Sequence, residues 1–210
     1  VIKKSRKERE YELKKAEIIK AAEKVFAAGG YHGTTMAQIS QASEYPLGTI
    51  YKFFSGKEQI YHDLVFTKGL ELGDILIDIT KNRDIQPSLR LMDSLRACAK
   101  FCQGNQNFIR IYVSERSNID GALTPSLNKK INKLHDRLIA LFQELFEEGI
   151  EKKEFKPYSA HQMAVMFTGI MTSIAWFWLT EEAGEPDALD AFIKTVLDIF
   201  THGISSDNNL

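Results

Sequence analysis

Cysteine is scarce in this chain: there are two in 210 residues, Cys98 and Cys102, four positions apart. That excludes the disulfide framework of a small secreted scaffold and points to a reducing, cytoplasmic setting. Proline is also scarce, with five residues. Proline breaks helix interiors, so its rarity permits a helical protein. Neither sign of charge dominates, and the net charge is -1. The basic start is followed by charged residues, not by an apolar stretch, so no signal peptide is read. The most apolar run, Met163–Leu179, spans seventeen residues and is interrupted by Thr168, Gly169, Thr172 and Ser173. It is at the lower limit for a membrane span and reads better as a buried helix, with no membrane partner.

Signatures of catalysis are missing too. The five histidines, His32, His62, His135, His161 and His202, form no His-Glu-x-x-His pair and none lies at zinc spacing from the cysteines. There is no phosphate-binding glycine loop and no dinucleotide fingerprint. Cys98 and Cys102 have no sequence-adjacent base, and Glu147-Glu148 reads as an ordinary surface pair. The expectation is no enzyme, no metal, no cofactor and no catalytic residue.

What is present is helical periodicity. The composition, 44% apolar and 26% charged, is that of an ordinary globular protein. Ile18, Ala22, Val25 and Phe26 share one helix face, which Gly29-Gly30 terminates. Thr34-Thr35 caps a short second helix holding Met36, Ile39 and Ala42. Pro46 opens a third, running to about Phe53. Ser55, with Glu58 three residues on, forms a capping box for a long fourth carrying Ile60, Leu64, Leu72, Ile75 and Ile79. Asn82–Asp84 is read as a loop, and Leu91, Leu95, Cys98 and Cys102 stripe a fifth helix. Phe108–Arg116 is a short sixth, and 118–124, with its Asp120-Gly121 turn, a loop. Pro125 begins a seventh with Leu127, Ile131, Leu134, Leu138, Leu141 and Leu145 as a packing seam. The eighth is apolar on nearly every face. After Gly184–Pro186, a ninth carries Leu189, Phe192, Ile193, Val196, Leu197 and Phe200. No strand pair is read, so the expected class is all-α with about nine helices.

The charge is unevenly spread. Residues 1–60 carry eleven Lys or Arg against seven Asp or Glu; the rest carries sixteen against twenty-one. A basic head on an acidic body fits a polyanionic partner, although Lys3, Lys4, Arg6 and Lys7 read equally as a solvated tail. Three short helices in the first 54 residues, the last two joined by a tight turn, make a helix-turn-helix. Segment 18–60 resembles the DNA-binding head of the TetR family of bacterial transcriptional regulators. The resemblance lies in Ile18–Phe26, Gly30-Tyr31, Gly33-Thr34-Thr35, Ile39, and most of all Gly48-Thr49-Ile50-Tyr51-Lys52-Phe53-Phe54 followed by Lys57-Glu58.

The residues suit that role. Thr35 offers a hydroxyl and nearby N–H groups to a phosphate. Thr49, Tyr51 and Lys52 lie on or beside the open side of the third helix, where Tyr51 and Lys52 reach phosphate oxygens. Lys57 opposes the dipole at the start of the fourth helix, which fits a phosphate contact. Gly48 costs about 1 kcal/mol of helix propensity relative to alanine and leaves room for close approach. The resemblance implies that Tyr45, Pro46 and Leu47 read bases. It also places glycine where this chain has Glu44; a left-handed turn there would cost a non-glycine about 1 kcal/mol.

For the body, the resemblance implies a regulatory domain at 57–210 behind a DNA-binding domain at 1–56. It implies a homodimer built on helices 159–182 and 187–203, acting as a repressor on a palindromic double-stranded operator. The expected dimer residues are Met166, Ile170, Ile174, Phe177 and Trp178, with Phe192, Val196 and Phe200; Gly169 and Ser173 would permit close helix approach. It also implies a small-molecule effector among helices four to eight. Candidate lining residues are Cys98, Phe101, Cys102, Phe108, Tyr112, Met163, Phe167 and Met171, which suit an apolar or aromatic ligand. The competing reading is an interaction protein that kept the fold and lost specific DNA binding.

Overall fold

The structure, a computed structural model, describes residues 5–117, 125–180 and 186–204. Among these residues every regular element is helical: α1 Arg6–Gly33, α2 Met36–Ser43, α3 Leu47–Ile50, α4 Lys57–Thr80, α5 Pro87–Gly104, α6 Gln106–Ser117, α7 Pro125–Glu151, α8 Ala160–Thr180 and α9 Pro186–Ile204. Lys3, Lys4, the 118–124 loop and its Asp120-Gly121 turn, and Gly184 lie outside the described residues, as do the side chains of Leu127, Ile131 and Leu189.

Local chemistry explains the starts of the first two helices. Ser5 caps α1 through a reciprocal box with Glu8. The helical backbone breaks at Gly30, where φ is 70°, and a last turn follows before Thr34. Thr35 caps α2 in a second box with Gln38. At the start of α4, Ser55 donates to the side-chain oxygen of Gln59, at 2.7 Å from its N–H and 3.0 Å from its hydroxyl. Along α4, Ile60, Leu64 and Leu76 are buried while Ile75 is exposed, so the buried stripe is displaced by one residue from the expected Ile75.

The chain divides into two compact units, Val1–Lys68 with Asn107–Asn128, and Gly69–Gln106 with Lys129–Leu210. The division by compactness therefore runs within α4. In the first unit, Ile18, Ala22, Phe26, Ile39, Ile50, Phe54, Ile60, Tyr61 and Leu64 form the core. In the second, α5, α8 and α9 pack together. Phe146 contacts Phe155 and Phe200, while Phe167 contacts Phe142, Phe146 and Phe200.

One polar group in the second unit departs from the sequence reading. Glu148 is buried, not a surface acid. It accepts a hydrogen bond from Arg90, which is 1% exposed, and another from Lys152 at 2.7 Å. The other arm of Arg90 donates to the carbonyl of Thr80 at 2.6 Å. This joins the end of α4 to α5 and α7. Burial alone would raise the Glu148 carboxyl, but the hydrogen bonds and charges of Arg90 and Lys152 outweigh it and hold the group below its ordinary value.

Candidate nucleic-acid interface

The helix-turn-helix is built from α2, a turn and α3. Glu44 ends α2 in the left-handed conformation, φ 59° and ψ 15°, as expected from its place in the turn. Ser40 then donates its hydroxyl to the carbonyl of Tyr45 at 2.7 Å. Pro46 opens α3, and its carbonyl accepts from the N–H of Thr49 at 2.7 Å and of Ile50 at 3.1 Å. The α-helical part of α3 is only Leu47–Ile50, shorter than expected, with turns continuing through Phe53.

Ile50 and Phe54 anchor this segment in the core. Helical geometry therefore sends the intervening residues outward. Pro46, Leu47, Gly48, Tyr51 and Lys52 are exposed, and Thr49 is half-buried. A side-chain carbon added at Gly48 would meet nothing within 4 Å. No neighbour among the described residues requires glycine there. Thr35 is also exposed, but its hydroxyl is already paired with Gln38, accepting from the N–H at 3.3 Å and donating to Oε1 at 3.0 Å.

Two expected DNA contacts have partners within the protein. The Lys57 ammonium donates to the carbonyls of Tyr31 at 3.0 Å, His32 at 3.2 Å and Thr34 at 2.9 Å. It also sits 4.8 Å from the centre of the Tyr31 ring. A cation that opposes the dipole of α4 thus satisfies carbonyls at the end of α1, so its presence requires no phosphate. Tyr45 is half-buried and donates its phenol proton to Glu17 of α1 at 2.6 Å. That hydrogen bond, with desolvation and the carboxylate charge behind it, raises the phenol above its ordinary value. Tyr45 thereby ties the turn to α1, an arrangement that sequence spacing could not reveal.

In the second unit, Cys98, Phe101, Cys102, Met163, Phe167 and Met171 are all buried. The Cys98 thiol lies 3.7 Å from the carbonyl of Met171, joining α5 to α8. Phe108 and Tyr112 belong to the other unit, where their rings lie 5.7 Å apart.

The expected dimer residues separate into two sets. Ile174, Trp178 and Phe200 are buried in this chain's own core and so do not form an open face. Phe177 and Phe192 are half-buried and stack on each other at 4.2 Å. Met166, Ile170 and Val196 do line an open apolar groove of about 820 Å³ between α8 and α9, together with Tyr158, Val165 and Ile199. Val165 is 43%, Met166 55% and Ile199 70% exposed. Gly169 and Ser173 are exposed on α8 as well. The sequence reading missed Tyr158, Val165, Ile199 and the exposed Trp176. A second α9 stripe, Phe192, Val196, Ile199 and Gly203, stepping by 4, 3 and 4, was the available signal.

A family model described as bacterial regulatory proteins, tetR family, matches residues 18–64, and one described as tetracyclin repressor-like, C-terminal domain, matches residues 84–204. The chain belongs to the TetR family. It is therefore a transcriptional regulator with a helix-turn-helix DNA-binding head, not an enzyme. Among curated relatives of this TetR regulator, the fatty acid metabolism regulator protein of Bacillus subtilis is 25% identical, over 90% of this chain and 94% of that protein. Two solved structures share the fold. The fatty acid degradation regulator FadR of Bacillus halodurans superposes with a TM-score of 0.78 at 23% identity, covering 96% of this chain and 97% of that one. FadR of B. subtilis, solved with stearoyl-CoA, gives 0.73 at 22% identity, covering 90% and 98%.

Proposed function

We propose that this TetR regulator is a cytoplasmic repressor that binds a palindromic operator as a homodimer and leaves it when an apolar effector enters the body. The observation that carries the DNA reading is the outward set Thr35, Pro46, Leu47, Thr49, Tyr51 and Lys52 around a glycine with open space before it. Tyr51 and Lys52 supply phosphate contacts, which set register. Pro46 and Leu47 offer only apolar contact to base edges such as thymine methyls. Lys57 and Tyr45 act behind this surface by fixing α1 against α4 and the turn. The functional division remains a DNA-binding head ahead of a regulatory body.

The groove between α8 and α9 supports the dimer. Large apolar side chains exposed side by side are unfavourable in water and mark an interaction surface. A second copy is the expected occupant because two-fold half-sites require a two-fold protein. Met166→Glu with Ile199→Glu should yield a folded monomer by light scattering and circular dichroism. A stable dimer from that variant would remove α8 and α9 from the interface.

The effector reading rests on the methionine, cysteine and phenylalanine side chains gathered in the second unit. A long-chain acyl-CoA is the first ligand to try, because B. subtilis FadR was solved with stearoyl-CoA. Coupling requires that the ligand favour a body conformation whose heads no longer match the half-site spacing.

The test is fluorescence anisotropy of the protein with DNA flanking its own gene against scrambled DNA at roughly 0.15 M salt. A specific repressor should prefer the flanking DNA by about 10³-fold or more, and stearoyl-CoA should lower that affinity. Equal binding to both DNAs would reject local regulation. No binding to either would favour an interaction protein, the reading that exposed Glu44 beside the turn supports.

A further inference from the structure

The basic start of the chain lies outside the DNA-binding set described above, and the fold gives part of it a place. Helix α1 begins at Arg6, capped by Ser5, whereas the family match begins at residue 18. The first turns of α1 therefore precede the matched head. They are nevertheless fastened to it. The Tyr11 ring lies 4.7 Å from the ring of Phe53, where the turns after α3 end. Lys15 pairs with Asp63 of α4 at 2.7 Å and stands 5.6 Å from the centre of the Phe54 ring. Glu17 accepts the phenol proton of Tyr45 at 2.6 Å. These three contacts fix which side of α1 meets α4, the end of α3 and the turn.

Helical spacing then places two lysines. Lys14 is three residues beyond Tyr11 and three short of Glu17, so it lies between the Phe53 contact and the turn. Lys7 is four residues before Tyr11 on the same face. Both are exposed, and neither has a carboxylate partner among the described residues.

The acids around them are committed elsewhere. Glu8 accepts from the N–H of Ser5 at 2.7 Å, and Glu10 pairs with Arg6 at 2.8 Å. Glu17 is held by Tyr45 and Asp63 by Lys15. Glu12 follows Tyr11 directly and so turns to another face. Uncompensated positive charge thus continues from Lys52 onto α1, across the Tyr11–Phe53 contact. A helix face that served stability alone would gain nothing from leaving both ammonium groups unpaired. A polyanion supplies what they lack.

We propose that Lys7 and Lys14, held in place by Tyr11, form a second phosphate-binding element that grips the DNA backbone beside α3. The inference rests on DNA binding by the head and adds contacts to it. The two lysines stand two turns apart, about 10 Å along the helix, so they address separate phosphates. Contacts of this kind carry no sequence information. They add affinity for any duplex and steepen its dependence on salt.

The test is fluorescence anisotropy of the full chain with a mixed-sequence duplex of about 30 base pairs, titrated from roughly 0.05 to 0.2 M salt. Lys7→Gln and Lys14→Gln should each reduce the slope of log affinity against log salt by about 1, and the double variant by about 2. Lys20→Gln is the control. Lys20 is exposed and nine residues beyond Tyr11, on the opposite side of α1, so the same loss of charge there should leave the slope unchanged. Tyr11→Ala removes no charge yet should weaken binding by releasing the element, and Tyr11→Phe should restore it. The lysine variants leave every packing contact in place, which keeps the test decisive if Tyr11→Ala fails to fold.

Wild-type slopes in both lysine variants, an equal fall in Lys20→Gln, or wild-type affinity in folded Tyr11→Ala would overturn the element and leave DNA binding by α3 intact. No binding by the wild-type chain even at the lowest salt would instead reject DNA binding by the head, and the element with it.

Discussion

A lysine in the first turn of a helix opposes the dipole, yet Lys57 finds three carbonyl acceptors across the head. Removing its donors leaves those carbonyls without their partner. Lys57→Met should lower head stability by about 1–3 kcal/mol, visible as a reduced urea midpoint. An unchanged midpoint would mean that water replaces the ammonium at no cost. Glu44 presents the reverse case. Its left-handed backbone is strained for any side chain, so Glu44→Gly should raise stability by up to about 1 kcal/mol, less the added freedom of the unfolded chain. It should also tighten operator binding by removing a carboxylate beside the turn. Weaker operator binding in anisotropy would show that the carboxylate instead supports the interface. The strain at Glu44 was foreshadowed by the family resemblance, which implies glycine at that position. The occupation of Lys57 was not, since its acceptors lie 23 to 26 residues away.

At the scale of elements, the end of α7 depends on one glycine. After Glu151 the chain turns through Lys153, with φ 59°, and the N–H groups of Glu154 and Phe155 both return to the carbonyl of Gly149 at 2.9 and 3.1 Å. This folds the Phe155 ring onto Gly149, where an added carbon would stand 2.1 Å from the ring. Gly149→Ala should therefore displace Phe155 from Phe146 and destabilise the body by about 1–3 kcal/mol, with a fall in melting temperature measured by circular dichroism. A wild-type melting temperature would show that the turn yields without loss. Helix α8 illustrates the limit of periodicity. A helix apolar on nearly all faces carries no phase, so Ile174 and Trp178 could not be told from Val165 and Met166. Packing against α5 and α9 makes that distinction.

For the whole molecule, Glu148 links stability to pH. Its folded carboxyl lies below the ordinary value, so the folded chain favours the ionised form more than the unfolded chain does. That contribution is complete above the ordinary glutamate value of about 4.3 and is lost as pH falls through the lower folded value. Urea stability should thus decline with acid in this window, and Glu148→Gln should decline less steeply while starting lower at neutral pH. Parallel pH profiles would show that the Arg90–Glu148 pair does not carry the linkage. The same pair holds the end of α4 to α5 and α7, so its loss should also loosen the body around that helix end.

The sequence by itself determined the all-helical class, the caps at Thr35 and Pro46, the break at Gly30 and the helix-turn-helix. Each depends on backbone chemistry or on periodicity within a few residues. It also marked Tyr51 and Lys52 as lying on or beside the open side of the third helix. Only tertiary structure decided that Lys57 closes the end of α1, that Tyr45 is tied to Glu17 and that Glu148 is buried with Arg90. It alone exposed Met166 and Ile199 while burying Ile174 and Phe200. These outcomes depend on which surfaces meet across long separations. Charge satisfaction and apolar burial are settled at those contacts, and local pattern does not encode them.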